Sequence, residues 1–249
     1  MSFQGKAAVV TGAGGGMGLN ISRDLLAAGT DVTMIDLKPG PEGLDGGPGE
    51  ATYLEGDVTD DDFIAAAMAE TFATRGRLDY LVNAAGVLWF GRDRSLVEID
   101  LDVWDKVLEI DLKSMVHTVR HAVPLMKESG GGAMVHFASI QCLRGDTRPQ
   151  DAYQASKAGM VALSKSVAVQ FAGDGIRSNT VLPGGTFSPM QERWSDDPDL
   201  KAAADTDVPL GRVGTTQDMA NACLFLLSDK ASYITGIELI VDGGVTALP

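Results

Sequence analysis

The stretch Ala7-Ala-Val-Val-Thr11-Gly12-Ala13-Gly14-Gly15-Gly16-Met17-Gly18 decides the fold. Its first five residues are small, apolar or β-branched and read as a buried strand. The segment from Leu19 to Ala28 has helical spacing and stops at Gly29. Glycines between a strand and a helix let the backbone turn sharply and approach a pyrophosphate, whose charge the helix N-terminus then meets. Such a loop alone is weak evidence. The strand before it, the helix after it and an acid closing the next strand make it strong.

That acid is Asp36, at the end of Asp31-Val-Thr-Met-Ile-Asp36. A carboxylate there accepts hydrogen bonds from the adenosine ribose hydroxyls and repels a 2′-phosphate, so the expected cofactor is NAD rather than NADP. No Arg stands in the loop or directly after Asp36, and Lys38 is the one nearby cation.

Outward from this unit, short apolar runs alternate with amphipathic stretches. Arg177 to Leu182, Leu78 to Asn83, Ala133 to Ala138 and Ile237 to Val241 read as further strands, and strand-like sequence resumes at Ala51. The expectation is an α/β fold: one Rossmann-type, doubly wound parallel sheet of about seven strands with helices on both faces. Residues 1–249 are read as one dinucleotide-binding and catalytic domain. Long helices are expected over Asp102 to Glu128 and Ala152 to Phe171. Pro39 to Glu50, with five Gly and three Pro, reads as an exposed loop. Gly184 to Pro209 reads as an irregular, mobile substrate lid carrying Phe187, Met190 and Trp194.

Composition narrows the function. A net charge of -14 disfavours nucleic acid and anionic membrane surfaces as partners. No apolar run is long enough to span a bilayer, and the N-terminus lacks the basic-then-apolar pattern of a signal peptide, so a cytoplasmic protein is expected. Cys142 and Cys223 lack metal-motif spacing and are read as reduced structural thiols.

The chemistry is carried by Tyr153-Gln-Ala-Ser-Lys157. Its two outer residues share one helix face at i and i+4. A phenol near pKa 10 is a poor acid or base at neutral pH, and a nearby ammonium, helped by oxidised nicotinamide, stabilises the phenolate. Ser139 ends the strand before it, at the carboxyl edge where ligands of such sheets bind, and its hydroxyl suits a substrate oxygen.

With these motifs in place, the chain resembles the short-chain dehydrogenase/reductase family from Lys6 to Gly244. Thr11-Gly12-x-x-x-Gly16-x-Gly18 is similar to the family cofactor loop, in which Gly14 and Met17 also lie. Asp57-Val58 resembles its adenine-contacting pair, and Asn83-Ala84-Ala85-Gly86 the motif after the fourth strand. Pro183-Gly184, with Thr186 and Ser188, resembles the segment that contacts the nicotinamide carboxamide. The resemblance implies hydride transfer between a nicotinamide ring and a carbon bearing oxygen, with Tyr153 moving the proton. It further implies that Lys157 also holds the nicotinamide ribose and that Ser139 orients the substrate oxygen. It also implies a homotetramer, for which the long helices offer apolar faces. One position departs from the family pattern: Asp111 stands where Asn is usual at the start of a proton relay. It keeps an acceptor, loses the amide donor and adds a charge near Lys157.

Substrate contacts are expected from Gln141, Arg144, Arg148, Met190 and Trp194, with Trp89, Phe90 and Leu143 as further apolar wall. Arg144 or Arg148 is suited to clamping an anion such as a carboxylate. His117 and His121 have a metal-compatible spacing without an evident third ligand, so no metal site is expected. His136 is read as a satisfied buried polar residue, and Asp60-Asp61-Asp62 as a helix N-terminus. The substrate is expected to be a small alcohol or ketone. Two other readings remain open: a dehydratase or epimerase-like enzyme that retains the cofactor, and a nucleotide-sensing module without turnover.

Overall fold

The computed structural model describes residues 3–44 and 47–249; Asp45 and Gly46, within the expected 39–50 loop, lie outside them. Nine strands and eight α-helices alternate along these residues. The strands are β1 (Ala7–Thr11), β2 (Asp31–Asp36), β3 (Ala51–Glu55), β4 (Tyr80–Asn83), β5 (Gly132–Phe137), β6 (Ile176–Pro183), β7 (Thr186–Phe187), β8 (Gly214–Thr215) and β9 (Glu238–Val241). The helices are α1 (Gly16–Ala27), α2 (Asp61–Arg75), α3 (Leu101–Leu108), α4 (Ser114–Glu128), α5 (Asp151–Phe171), α6 (Arg193–Asp196), α7 (Pro198–Thr206) and α8 (Thr216–Leu227). Seven strands form one parallel sheet in the order β3-β2-β1-β4-β5-β6-β9, while β7 and β8 pair separately.

The pleat explains the two-sided core. Ala8 and Val10 of β1 join Val32 and Met34 of β2 against Ile21 and Leu25 of α1 and Cys223 and Leu226 of α8. Val9, one position out of phase, faces the other way with Ile35, Leu81 and Met134, against Ile64 and Met68 of α2, Met126 of α4 and Val167 of α5. Strands buried on both faces read as continuous apolar runs, as β1 does. Strand order reverses between β1 and β4, and the carboxyl ends of these two strands open the crevice in which such sheets bind ligands.

Three readings of the sequence need correction. The helix expected over Asp102 to Glu128 runs unbroken but not uniformly: α3 and α4 are joined within it by a π-helical turn, Glu109–Lys113, that carries Asp111. A π turn inserts one residue into the helical repeat and shifts the rotational phase of the helix beyond it. The 184–209 stretch is not irregular throughout, since α6 and α7 lie within it. Asp197 caps α7 by accepting from the Leu200 N–H at 3.0 Å, and Pro198 occupies its first turn. The fourth strand begins at Tyr80 rather than Leu78, because the Leu78 N–H donates to the Ser129 hydroxyl instead of to a neighbouring strand.

The acidic run opens a helix, as expected. Asp60 caps α2 by accepting from the N–H groups of Asp62 and Phe63, and Asp61 pairs with Arg120 and His121. His117 and His121 have separate partners, the Val58 carbonyl and Asp61. Cys142 and Cys223 are both free thiols. Among the described residues, no helix is long and apolar enough to cross a membrane.

Candidate active site

Helix α1 opens the site. Its N-cap is Gly15, which contributes no side chain to the first-turn N–H groups, so those donors face a ligand rather than a cap. The glycines make room for one. Gly12 has φ of +69°, and a Cβ there would lie 2.6 Å from the Ala85 nitrogen. A Cβ on Gly18 would collide with the Gly12 carbonyl, so this glycine sets the close packing of loop against helix. Gly14 passes so near Asp36 that a Cβ would sit 2.9 Å from its carboxyl carbon.

Asp36 is held by the loop it serves. Oδ2 accepts from the Gly14 N–H at 2.9 Å and Oδ1 from the Lys38 N–H at 3.0 Å. Each carboxylate oxygen has two lone pairs, so both keep capacity for one ribose hydroxyl. A cleft of about 550 Å³ runs from Asp36 past Gly12, Gly16, Met17 and Gly18 to Gly86 and Ser188, with Asp57 and Val58 on its wall. The narrow glycine cradle, the uncapped helix start and the oriented carboxylate at one end together fit a dinucleotide.

The catalytic candidates gather just behind the inner end of that cleft, screened from it by Gly86 and the Val87 to Trp89 segment, and none of the four is among its lining residues. A Cβ on Gly86 would lie 3.0 Å from Lys157 Nζ and 3.3 Å from Asp111 Oδ1, so the cleft wall touches both. Lys157 Nζ donates to the Phe137 carbonyl at 3.1 Å, lies 3.3 Å from Asp111 Oδ2, and stands 5.4 Å from the centre of the Tyr153 ring. Asp111 is fully buried; its Oδ1 accepts from the Val87 N–H at 2.7 Å, while Oδ2 has the Lys157 charge beside it but no aligned hydrogen bond. Burial pushes the Asp111 carboxyl up, against the pull of Lys157 and the Val87 N–H. Burial also pushes the Tyr153 phenol up; Lys157 and a hydrogen bond with Ser139 pull it down, and Asp111 pushes it up again. Ser139 Oγ accepts from the Gln141 N–H at 3.2 Å. The N–H groups of Ala152 and Tyr153, at the start of α5, are held by Asp93 at 3.1 and 2.9 Å.

Some expected residues stand one layer back. Asn83 does not reach the cleft: its amide lies 2.9 Å from His136 Nδ1, and His136 Nε2 is 3.1 Å from the Ser178 hydroxyl, which in turn meets Ser164. This buried row crosses β4, β5 and β6, and burial pulls the His136 pKa down to about 3. Pro183 and Gly184 end β6 against Asp242, and the Thr186 hydroxyl donates to the Gly184 carbonyl; none of the three lines the cleft. Trp194, expected as a substrate wall, packs with Val208 and Val213 in a small core of its own. A bulky side chain on a lid helix buries most area against the lid itself.

A second cleft of about 670 Å³ adjoins the first, with Leu88 lining both. Gln141, Arg144 and Arg148 line it as expected, joined by Arg94 and Arg193, which the sequence pattern does not single out. Met190 and Trp89 line the first cleft instead. Tyr153 packs against Val87, Leu88 and Trp89, the segment separating the two openings.

Comparison with known proteins agrees with this geometry. Residues 12–246 match a family model described as enoyl-(acyl carrier protein) reductase. The chain is 36% identical to cis-4-hydroxycyclohexanecarboxylate dehydrogenase of Sinomonas cyclohexanicum, covering 99% of both chains. It is 35% identical to a 3-oxoacyl-[acyl-carrier-protein] reductase of Thermotoga maritima, over 98% of this chain and 99% of the relative. A short-chain type dehydrogenase/reductase of Mycobacterium ulcerans superimposes with a TM-score of 0.92 at 28% identity, over 99% of this chain and 92% of that one. With its sheet order, glycine cradle and Ser-Tyr-Lys cluster, the chain belongs to the short-chain dehydrogenase/reductase family, whose dehydrogenases use nicotinamide cofactors, and is an alcohol dehydrogenase or carbonyl reductase of that family.

Proposed function

We propose that this enzyme is NAD-dependent and interconverts a secondary alcohol and its ketone, with Tyr153 as the general acid and base. The observation that carries the reading is the grouping of Ser139, Tyr153, Lys157 and Asp111 directly behind Gly86, the inner wall of a glycine-lined cleft whose far end presents Asp36. Bound NAD supplies the hydride acceptor, and NADH the donor.

The remaining work falls to the protein. Glycines 12, 14, 16 and 18 and Met17 shape the pyrophosphate seat, Asp57 and Val58 flank the adenine, and Asp36 selects the free ribose over its 2′-phosphate. Ala84 and Gly86 form the floor and Ser188 stands beside the nicotinamide, while Asn83, Pro183, Gly184 and Thr186 support these residues from one layer back. Ser139 donates to the substrate oxygen while Tyr153 Oη takes the hydroxyl proton in oxidation or returns it in reduction. Lys157 stabilises the phenolate that this requires, and Asp111 holds Lys157 in place. Residues 1–249 act as one domain, with 184–209 as the lid over the substrate. The reading carries with it a cytoplasmic homotetramer; Leu101, Val116 and Val169 leave apolar surface exposed on α3, α4 and α5 for such pairing.

The test is NAD reduction across a panel of secondary alcohols, beginning with hydroxy acids in view of the relative named for a hydroxycyclohexanecarboxylate. Tyr153→Phe is expected to lower kcat by about 100-fold or more while NADH binding persists. Turnover that survives this substitution would overturn the assignment of Tyr153.

A further inference from the structure

Four arginines and four carboxylates line the second cleft, so its formal charge balances, but among the described residues the arginines are not paired with the acids. Four carboxylates share its lining with the arginines, yet they are engaged elsewhere or stand apart. Asp93 accepts from the two N–H groups at the start of α5, and Asp146 accepts from the Arg148 backbone N–H. Among the described residues, no carboxylate lies within 4.0 Å of the Arg148 or Arg193 guanidinium. Burial and the charge of Arg148 both pull the Arg193 pKa down, so the charge that Arg193 senses is another guanidinium.

Arg193 is also held in one orientation. Its guanidinium carbon stacks 3.9 Å from the centre of the Phe90 ring, and its Nε donates to Gln191 at 3.0 Å. The two terminal nitrogens are left as a planar fork, the geometry that matches a carboxylate. Beside the arginines, Gln150 is only 7% exposed; its amide oxygen accepts from Gln141 Nε2 at 3.2 Å, and its Nε2, like Gln141 Oε1, has no partner. A buried amide donor without an acceptor is unfavourable unless a ligand completes it.

Gln141 ties this cleft to the chemistry. Its backbone N–H donates to Ser139 Oγ while its side chain lies in the arginine cleft, so the two sites are separated by little more than one residue. We propose that Arg148 and Arg193, completed by the Gln150 amide, clamp a compact anionic group of the substrate. The substrate class is then a secondary alcohol or ketone bearing a carboxylate or similar oxyanion a few bonds from the reacting carbon. This rests on the dehydrogenase reading above and narrows it.

The experiment pairs each hydroxy acid with its methyl ester and measures kcat/KM for both in the native enzyme, Arg193→Gln and Arg148→Gln. In parallel, calorimetry follows binding of cyclohexanecarboxylate, an unreactive probe, with NADH binding as the check that each variant is folded. The native enzyme is expected to prefer the acid, and each substitution to reduce the acid-to-ester ratio about 10- to 100-fold, mainly through KM. Probe binding is expected to weaken by a similar factor and to fall with added salt. Equal use of acid and ester, with a ratio unmoved by either substitution, overturns the clamp and leaves the dehydrogenase standing. Arginine-dependent probe binding without turnover of any alcohol supports the clamp and overturns the dehydrogenase reading instead.

Discussion

Replacing Asp111 with Asn tests how charge is arranged around the reacting phenol. Asp111 Oδ2 lies 3.3 Å from Lys157 Nζ, and that nitrogen stands 5.4 Å from the centre of the Tyr153 ring. The carboxylate is therefore no farther than about 9 Å from the ring centre, where at an effective dielectric near 20 it opposes the phenolate by about 1.8 kcal/mol. Asn is nearly isosteric and keeps an oxygen for the Val87 N–H, and Lys157 retains the Phe137 carbonyl. Since an ionised Asp111 pushes the Tyr153 pKa up, removing its charge moves it down. Alcohol oxidation needs the phenolate, so the acidic limb of its kcat/KM profile is expected to shift to lower pH. Stopped-flow or steady-state NADH absorbance from pH 5 to 10 measures it. A limb that stays in place refutes the argument, because it means that Asp111 is protonated in the folded enzyme and carries no charge to remove.

Asp36→Ser is expected to reduce the kcat/KM preference for NAD over NADP by about 100-fold, as loss of a like charge beside the 2′-phosphate requires; steady-state kinetics with both cofactors decide it. Gly86→Ala places a methyl group 3.0 Å from Lys157 Nζ, so kcat is expected to fall about 10- to 100-fold with an almost unchanged urea midpoint. Burial pulls His136 from 6.5 to about 3, so its imidazole stays neutral when folded while the unfolded chain takes up a proton. Its contribution to stability is complete above pH 6.5 and is lost as pH falls toward 3, at up to about 1.4 kcal/mol per pH unit. Urea unfolding at pH 7, 6 and 5 should show that slope, and His136→Gln should flatten it.

Much of the fold was legible because it depends on local rules. β1 and β2 have the bounds that their apolar runs give, and the glycines between β1 and α1 leave few alternatives to a phosphate loop. The catalytic cluster was also readable, since Tyr153 and Lys157 lie one helical turn apart and Ser139 at a strand end. The features that escaped depend on long-range packing. Arg94 and Arg193 come from a loop and a lid helix distant in sequence, and no periodicity announces that they meet at one cleft. Trp194 illustrates the converse: an aromatic residue in a lid suggests a substrate wall, yet only tertiary structure reveals that Val208 and Val213 enclose it. The start of α7 does carry a local signal in Asp197-Pro198, an N-cap followed by proline, which the irregular composition around it obscures.

The π turn at Glu109–Lys113 works as a phase shifter in a single rod. With one extra residue in the repeat, α3 can aim Val103 and Val107 at the Tyr153 side of the molecule while α4 aims Met126 at the sheet. Regularising this turn into ordinary α-helix with all its residues kept would rotate one half against the other by about 100°. The healed helix would be locally better hydrogen-bonded, and yet it would swing either Asp111 away from Lys157 or the α4 face away from its bed. The match between residue count and turn geometry from Val107 to Met126 is thus as much a functional specification as any side chain, and grafts or loop exchanges that cross this segment must preserve it before they preserve sequence.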